Sequence, residues 1–191
     1  MSDIIDDNEQ ITRKFYLELD ADVDPSKLND LKAYSAYKNV FGDEENIKIL
    51  DKLARNIKLI KHEYHENHKK RCRDVNYWFN DQIKTYQARK RASILSDAAT
   101  VYNGIKWNGR NDERVCVINE NPYSSKDADL MKELDDYCEI RDINKCNVSK
   151  DYNECLKCNK YIEKKKQDIT SKMQVVKDYL EMKNYRNLYL L

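Results

Sequence analysis

The placement of the cysteines is the feature of this sequence that most constrains its fold. Six cysteines are present in 191 residues; four of them are crowded into residues 138–158, whereas Cys72 and Cys116 stand apart. An even number of cysteines, most of them in one short stretch, is typical of a disulfide framework in an oxidising location. We therefore expect structural disulfides to involve every cysteine: Cys72, Cys116, Cys138, Cys146, Cys155 and Cys158. Their connectivity cannot be deduced from the sequence.

The pair Cys155–x–x–Cys158 allows two other interpretations. A redox motif favours Pro or Gly between the cysteines and a βαβ setting, but here Leu156–Lys157 lie within a helical pattern. A zinc site needs two further ligands, which Cys138 and Cys146 could supply. The gaps of seven and eight residues between these cysteines match no common zinc module. Two disulfides that tie this segment to other parts of the chain remain the favoured interpretation.

The rest of the sequence is patterned for α-helices. Only three Gly and two Pro are present, far fewer turn residues than a β-sandwich of this length needs. Apolar residues recur at steps of three and four. We predict helices over residues 8–20, 43–71, 72–102 and 150–191, and shorter helices that begin at Asp24–Pro25 and at Ser124. The predicted fold is an all-α, disulfide-stapled helical bundle with long ordered loops, formed by a single domain over residues 1–191.

Residues 103–123 interrupt the helical pattern. Three turn signals fall in this segment: Asn103–Gly104, Asn108–Gly109 and Asn121–Pro122. We predict a long ordered loop that is pinned by a disulfide through Cys116; a short hairpin is the alternative. Trp107 and Tyr123 are candidate contacts for a protein partner, because aromatic side chains on loops can anchor interfaces. The alternative for Trp107 is that its ring folds back onto the core.

Charge and motif content exclude several classes of function. The chain has 35 basic and 34 acidic residues, and this balance argues against a nucleic-acid partner. Neither a Gly-rich phosphate loop nor a catalytic constellation is present, so we predict a protein that is not an enzyme and has no cofactor. His62, His65 and His68 lack the acidic base of a metalloprotease motif, and we predict that they form a solvated helix end rather than a metal site.

The hydropathy of the chain and its first residues bear on membrane insertion and export. No apolar run approaches the ~20 residues that cross a bilayer. The first ten residues lack the basic and then apolar pattern of a signal peptide, which conflicts with disulfide formation unless export follows an unusual route.

One segment has a recognisable pattern, Cys72–Arg–Asp–Val–Asn–Tyr–Trp–Phe–Asn–Asp–Gln–Ile83. It resembles the core motif of the Plasmodium interspersed repeat proteins, which are called VIR in the vivax species. The later segment Cys155–Leu–Lys–Cys158–Asn–Lys–Tyr–Ile162 is similar to a second family motif, and Leu134–Asp–Asp–Tyr137 fits the stretch between them. The bias towards Asn, Lys and Tyr suits such a genome. Together these similarities span roughly residues 44–170.

The resemblance implies a mostly helical, disulfide-stabilised ectodomain of a large variant family. Members are thought to be exported towards the surface of the infected red cell, commonly without a conventional signal peptide. Many members continue into a variable linker and a transmembrane helix, so contact with a membrane is expected only through a segment that is not in this chain. Members often carry another cysteine upstream of the Trp motif, and residues 52–56 have none.

Three hypotheses about function follow from the sequence. The first is a variant surface antigen that binds a host-cell or immune receptor and contributes to adhesion or immune evasion. The second is an immune decoy that varies and has no fixed ligand. The third, from a different class, is a cytosolic helical protein that is stabilised by zinc.

Overall fold

The computed structural model describes residues 5–41, 44–84, 88–109, 111–123, 127–144 and 152–188. Within these residues the chain forms seven α-helices: α1 Ile11–Glu18, α2 Lys32–Phe41, α3 Glu44–Glu63, α4 His68–Lys84, α5 Ala88–Gly104, α6 Ala128–Asn144 and α7 Tyr152–Leu188. Short 3₁₀ turns lie at Asp7–Glu9, Pro25–Leu28 and His65–Asn67. The described residues contain no β-strand beyond an isolated bridge between Lys106 and Arg114. The prediction of an all-α fold is confirmed.

Backbone contacts group the chain into two compact units. One unit comprises residues 15–124, and the other comprises residues 1–14 together with residues 125–191. Whether residues 1–191 behave as a single domain stays a prediction.

The core of the first unit forms around α3. This helix packs against α4 and α5, and α2 also packs against α5. The apolar stripe of α3 explains these contacts, because steps of three and four place its apolar residues on one helix face. The largest fully buried apolar side chains of the unit are Phe15, Leu19, Tyr34, Leu50, Leu53, Ile57, Ile60, Trp78, Phe79, Ile83 and Tyr102.

The boundaries of the helices differ from the predicted ones at two places. The predicted helix over residues 43–71 is broken at Tyr64, whose backbone leaves the helical region (φ −121°, ψ 29°). The Tyr64 ring packs edge-on against Phe15, with 4.9 Å between the ring centroids. The predicted helix over residues 72–102 is divided into α4 and α5, and residues 85–87 lie outside the described part of the chain.

Two predicted helix starts have different outcomes. The Asp24 carboxylate accepts a hydrogen bond from the Ser26 N–H at 3.0 Å, as an N-cap does, but the turn that it begins is the 3₁₀ turn Pro25–Leu28. The predicted start at Ser124 lies outside the described residues, and α6 begins at Ala128.

Cationic side chains of α3 hold the segment between α1 and α2. Arg55 donates hydrogen bonds to the carbonyl oxygens of Leu19 and Ala21 at 3.1 and 2.9 Å. Lys58 Nζ lies 2.7 Å from the carbonyl oxygen of Lys27 and 2.7 Å from Asp30 Oδ1. Two basic side chains of α3 therefore stabilise the segment that connects α1 to α2.

The second unit contains the packed pair of helices α6 and α7. Ile140 and Ile169 are its buried apolar side chains in the part that the structure describes. Lys172 on α7 forms an ion pair with Glu133 on α6. At the N-terminus, Tyr161 and Lys165 on α7 both donate hydrogen bonds to the Asp7 carboxylate. No helix in the described part of the chain is long and apolar enough to span a bilayer.

Candidate functional site

The loop of residues 105–123 is held against α4 by a covalent bond. A disulfide joins Cys72 on α4 to Cys116 in the loop, with 5.5 Å between their Cα atoms. The bond spans a sequence separation of 44 residues. It therefore fixes the middle of the loop to the helix, as the sequence predicted for a disulfide through Cys116.

A ladder of asparagine hydrogen bonds continues this attachment. The Asn76 side chain donates to the carbonyl oxygens of Cys72 and Val117 at 2.8 and 3.1 Å. Its Oδ1 accepts hydrogen bonds from the Tyr102 hydroxyl at 2.8 Å and from the Asn119 N–H at 2.9 Å. One turn further along α4, Asn80 donates to the carbonyl oxygens of Asn119 and Glu120.

These two asparagines are the structural residues that the sequence argument did not single out. Asn76 and Asn80 are four residues apart and therefore lie on one face of α4. Two amide side chains at this spacing can satisfy the backbone of a loop that has no regular structure of its own. The spacing of four residues between these two asparagines was the sequence signal from which their contact with the loop could have been predicted.

The first part of the loop forms a pinched turn. The Trp107 N–H donates to the Glu113 carbonyl at 2.8 Å, and the Val115 N–H donates to the Ile105 carbonyl at 3.1 Å. Gly109 has a φ of +70°, a conformation that glycine adopts without steric cost. The segment therefore resembles the hairpin alternative in its pairing, although only an isolated bridge forms in place of two strands.

The two predicted partner contacts occupy different environments. Trp107 is partly buried and packs against the core; its ring lies edge-on to His68, with 5.4 Å between the centroids. Tyr123 is only 7% exposed, and its hydroxyl lies 3.4 Å from Asp74 Oδ1. The ring and the hydroxyl of Tyr123 both have neighbours inside the unit, and its role as a contact for a protein partner stays a prediction.

Next to Tyr123, a buried group of charges lies on α4. Lys70 Nζ is 2.6 Å from Asp74 Oδ1, and Arg71 Nη1 is 3.0 Å from Asp74 Oδ2. All three side chains are at most 4% exposed. The Arg71 guanidinium also lies over the Phe15 ring, 4.6 Å from its centroid, which is a cation–π contact. Because all three side chains are buried, the arrangement supports the fold and is not part of the exposed surface.

The other cysteines that the structure describes are not all in the same bonding state. Cys138 on α6 and Cys155 on α7 carry thiols in the structure. Cys158 is disulfide-bonded. Cys146 lies outside the described residues. Bonding of all six cysteines therefore stays a prediction. Cys72 and Cys116 cannot supply thiolates to a zinc ion, because they are bonded to each other.

The three histidines do not converge in the structure. His62 and His65 are exposed, and His68 is half-buried beside Trp107. His68 Nδ1 lies 3.0 Å from the carbonyl oxygen of His65. Across the residues whose positions are described, no group of three His, Cys, Asp or Glu side chains could hold a metal ion.

A cleft of about 330 Å³ lies where the end of α3 meets the start of the loop. Its charged and aromatic lining residues are Asp30, Lys58, Lys61, His62, Lys106 and Trp107. Three of these side chains are lysines and one is an aspartate, so the lining is basic. The cleft also places Trp107, the predicted contact residue, at a surface that a ligand can reach.

Comparison with known protein families gives a match over most of the chain. Residues 11–187 match the family described as Plasmodium vivax Vir protein. No curated protein and no solved structure matches the chain.

Proposed function

The chain belongs to the Plasmodium vivax Vir protein family, a family of variant surface antigens, and we propose that it binds a receptor protein on host or immune cells. In this proposal the protein is exported from the parasite and presented at the surface of the infected red cell. Its binding contributes to adhesion or to immune evasion.

The observation that supports this proposal is the attachment of the 105–123 loop. The disulfide and the Asn76–Asn80 ladder restrict the loop backbone, so little conformational entropy remains to be lost when a partner binds. Side chains on the outer side of the same loop are exposed, and Val117 is 60% exposed. A rigid backbone with accessible side chains suits a recognition surface, and outward-facing positions can vary without loss of the core.

The test uses the labelled full chain on a panel of host cells. We expect saturable binding to at least one cell type, and we expect the triple variant Arg114→Ala, Val117→Ser, Glu120→Ala to lower the affinity at least about tenfold. These three side chains are exposed, so the fold should be retained. A matched control, Leu17→Ser, Lys48→Ala, Glu66→Ala, changes the same classes of exposed residue outside the loop and should bind normally.

The other outcomes distinguish the remaining hypotheses. Binding that does not saturate on any cell type would favour the immune decoy. Saturable binding that the loop variant leaves unchanged would remove the loop from the receptor interface. Six thiols and a bound ion in the intact mass would favour the zinc-stabilised cytosolic protein.

A further inference from the structure

We infer that the basic cleft beside Trp107 binds an anionic saccharide, a sugar that carries a carboxylate or a sulfate group. This inference rests on the proposed receptor-binding function, and it names the chemical class of one group on the receptor that the cleft would bind. The cleft volume of about 330 Å³ lies at the lower end of the range of small-ligand sites.

The lysines that line the cleft differ in how strongly other groups of the protein already engage them. Lys58 donates hydrogen bonds to Asp30 and to the Lys27 carbonyl oxygen, so its ammonium group is already engaged within the protein. The hydrogen bond from Lys58 outweighs the effect of burial and lowers the pKa of Asp30 from its ordinary value, so Asp30 is ionised at neutral pH. Lys61 lines the same cleft and acts on Asp30 through its charge, without a hydrogen bond to that carboxylate.

Lys106 supplies a second positive charge in the lining of the cleft. Its ammonium group lies 3.0 Å from Asp112, and the Asp112 side chain is 85% exposed. An exposed pair of this kind is worth little, so a ligand anion can take over the lysine at small cost. Lys61 and Lys106 can then share one carboxylate or sulfate.

Trp107 provides the surface for the sugar ring. The face of an indole ring carries partial negative charge, and the C–H bonds of a saccharide ring carry partial positive charge. The ring is already positioned by the backbone bond to Glu113 and by the His68 contact. Asn108 and His62, which also line the cleft, can exchange hydrogen bonds with sugar hydroxyls. An acidic protein side chain would use the lysines but not this combination of indole face and polar groups.

The experiment titrates the full chain with sialyllactose, with a sulfated heparin disaccharide and with neutral lactose. Binding is followed by calorimetry and by tryptophan fluorescence, since Trp107 lines the cleft whereas Trp78 is buried. We expect one or both anionic sugars to bind and lactose not to bind. The two anionic arms distinguish a carboxylate-bearing ligand from a sulfate-bearing ligand.

Charge variants then locate the site. Lys61→Glu and Lys106→Gln should each weaken binding at least about fivefold, because each removes one of the two available charges. The matched control is Lys48→Glu, which makes the same charge reversal on an exposed position of α3 and lies about 20 Å along the helix from Lys61. The control should change the affinity less than about twofold.

Several results would overturn the inference. These are the absence of binding to either anionic sugar, equal binding of lactose, and an equal effect of Lys61→Glu and Lys48→Glu. An acidic peptide that binds the cleft while both sugars fail would replace the ligand class with a protein. Cell binding that survives Lys61→Glu would leave the proposed function intact without this inference. Sugar binding without cell binding would support this inference and contradict the proposed function.

Discussion

Asn76 uses the full hydrogen-bonding capacity of its side chain. The amide nitrogen has two donors and both are used, and the oxygen accepts two hydrogen bonds. An aspartate of the same shape has no donors, and a leucine has neither donors nor acceptors. Asparagine is therefore the residue type whose side chain can join the backbone of α4, the α5 side chain Tyr102 and two points of the loop.

Replacing Asn76 should destabilise the first unit more than replacing Asn80. We expect Asn76→Ala to cost about 2–3 kcal/mol of unfolding free energy, because buried groups in α5 and the loop lose their partner. Asn80→Ala, whose contacts are exposed, should cost about 1 kcal/mol or less. Urea unfolding followed by circular dichroism measures both values, and equal losses would contradict the assignment of Asn76 as the central support.

The buried carboxylate of Asp74 provides a second prediction at this scale. Asp74→Ala removes the anion that both Lys70 and Arg71 contact, so we expect a loss of about 3–5 kcal/mol. Asp81→Ala is the control on the same helix, because the Asp81–Lys84 pair is more than half exposed and should contribute less than about 1 kcal/mol. A loss below about 1 kcal/mol for Asp74→Ala would show that the cations are reached by water.

At the scale of elements, the disulfide between α4 and the loop has the largest expected effect. The double variant Cys72→Ser, Cys116→Ser should lose about 4 kcal/mol, as the chain-entropy relation gives for a closed loop of this separation. Cys138→Ser, which removes a thiol, should lose less than about 1 kcal/mol. Thermal unfolding compares the two, and alkylation without reductant should label Cys138 but not Cys72. Protection of all six cysteines would instead support the three-disulfide framework.

The contact between the N-terminal turn and α7 should depend on pH. Partial burial would raise the pKa of Asp7, but hydrogen bonds from Lys165 and Tyr161 outweigh it and lower the pKa below its ordinary 3.8. Stability from this contact is therefore complete above pH 3.8 and is lost as the pH falls through the folded-state pKa. Hydrogen exchange of residues 7–10 should accelerate in that acid range. Asp7→Asn should make the exchange independent of pH there after correction for the intrinsic rate, and an unchanged pH dependence would contradict the assignment.

At the scale of the whole molecule, the two units should differ in stability. The first unit buries most of the described apolar core, whereas α6 and α7 contribute only Ile140 and Ile169 among the described buried apolar side chains. We expect amides in α3 and α4 to open at a free energy about 2 kcal/mol or more above those in α6 and α7. Native-state hydrogen exchange in low urea measures this, and one shared opening free energy would contradict it.

Particular residues show where sequence reasoning succeeded. The sequence showed apolar residues at steps of three and four, and on α3 the residues Leu50, Leu53, Ile57 and Ile60 follow these steps and are fully buried. The break at Tyr64 was missed because the pattern continues through it. The Tyr64 and Phe15 rings are in contact at that break, and a contact between residues so distant in sequence leaves no local signal.

The candidate site also has some features with a local sequence signal and others that depend on contacts between distant residues. A turn-rich loop with Cys116 and Trp107 was visible in the sequence, but the disulfide partner, the Asn76 contacts and the basic cleft were not. Each of these joins side chains from elements that are distant along the chain.

The sequence by itself determined the helical class of this protein, its family and its cysteine-pinned loop. These depend on the local period of apolar residues, on turn residues and on a contiguous motif. Only the tertiary structure decided that Tyr123 lies inside, that the cations of α3 hold a neighbouring segment and that Lys61, Lys106 and Trp107 share one cleft. Packing in three dimensions brings residues that are distant in sequence into contact. The packing determines which side chains are buried, and the distances between charged groups determine how strongly they interact.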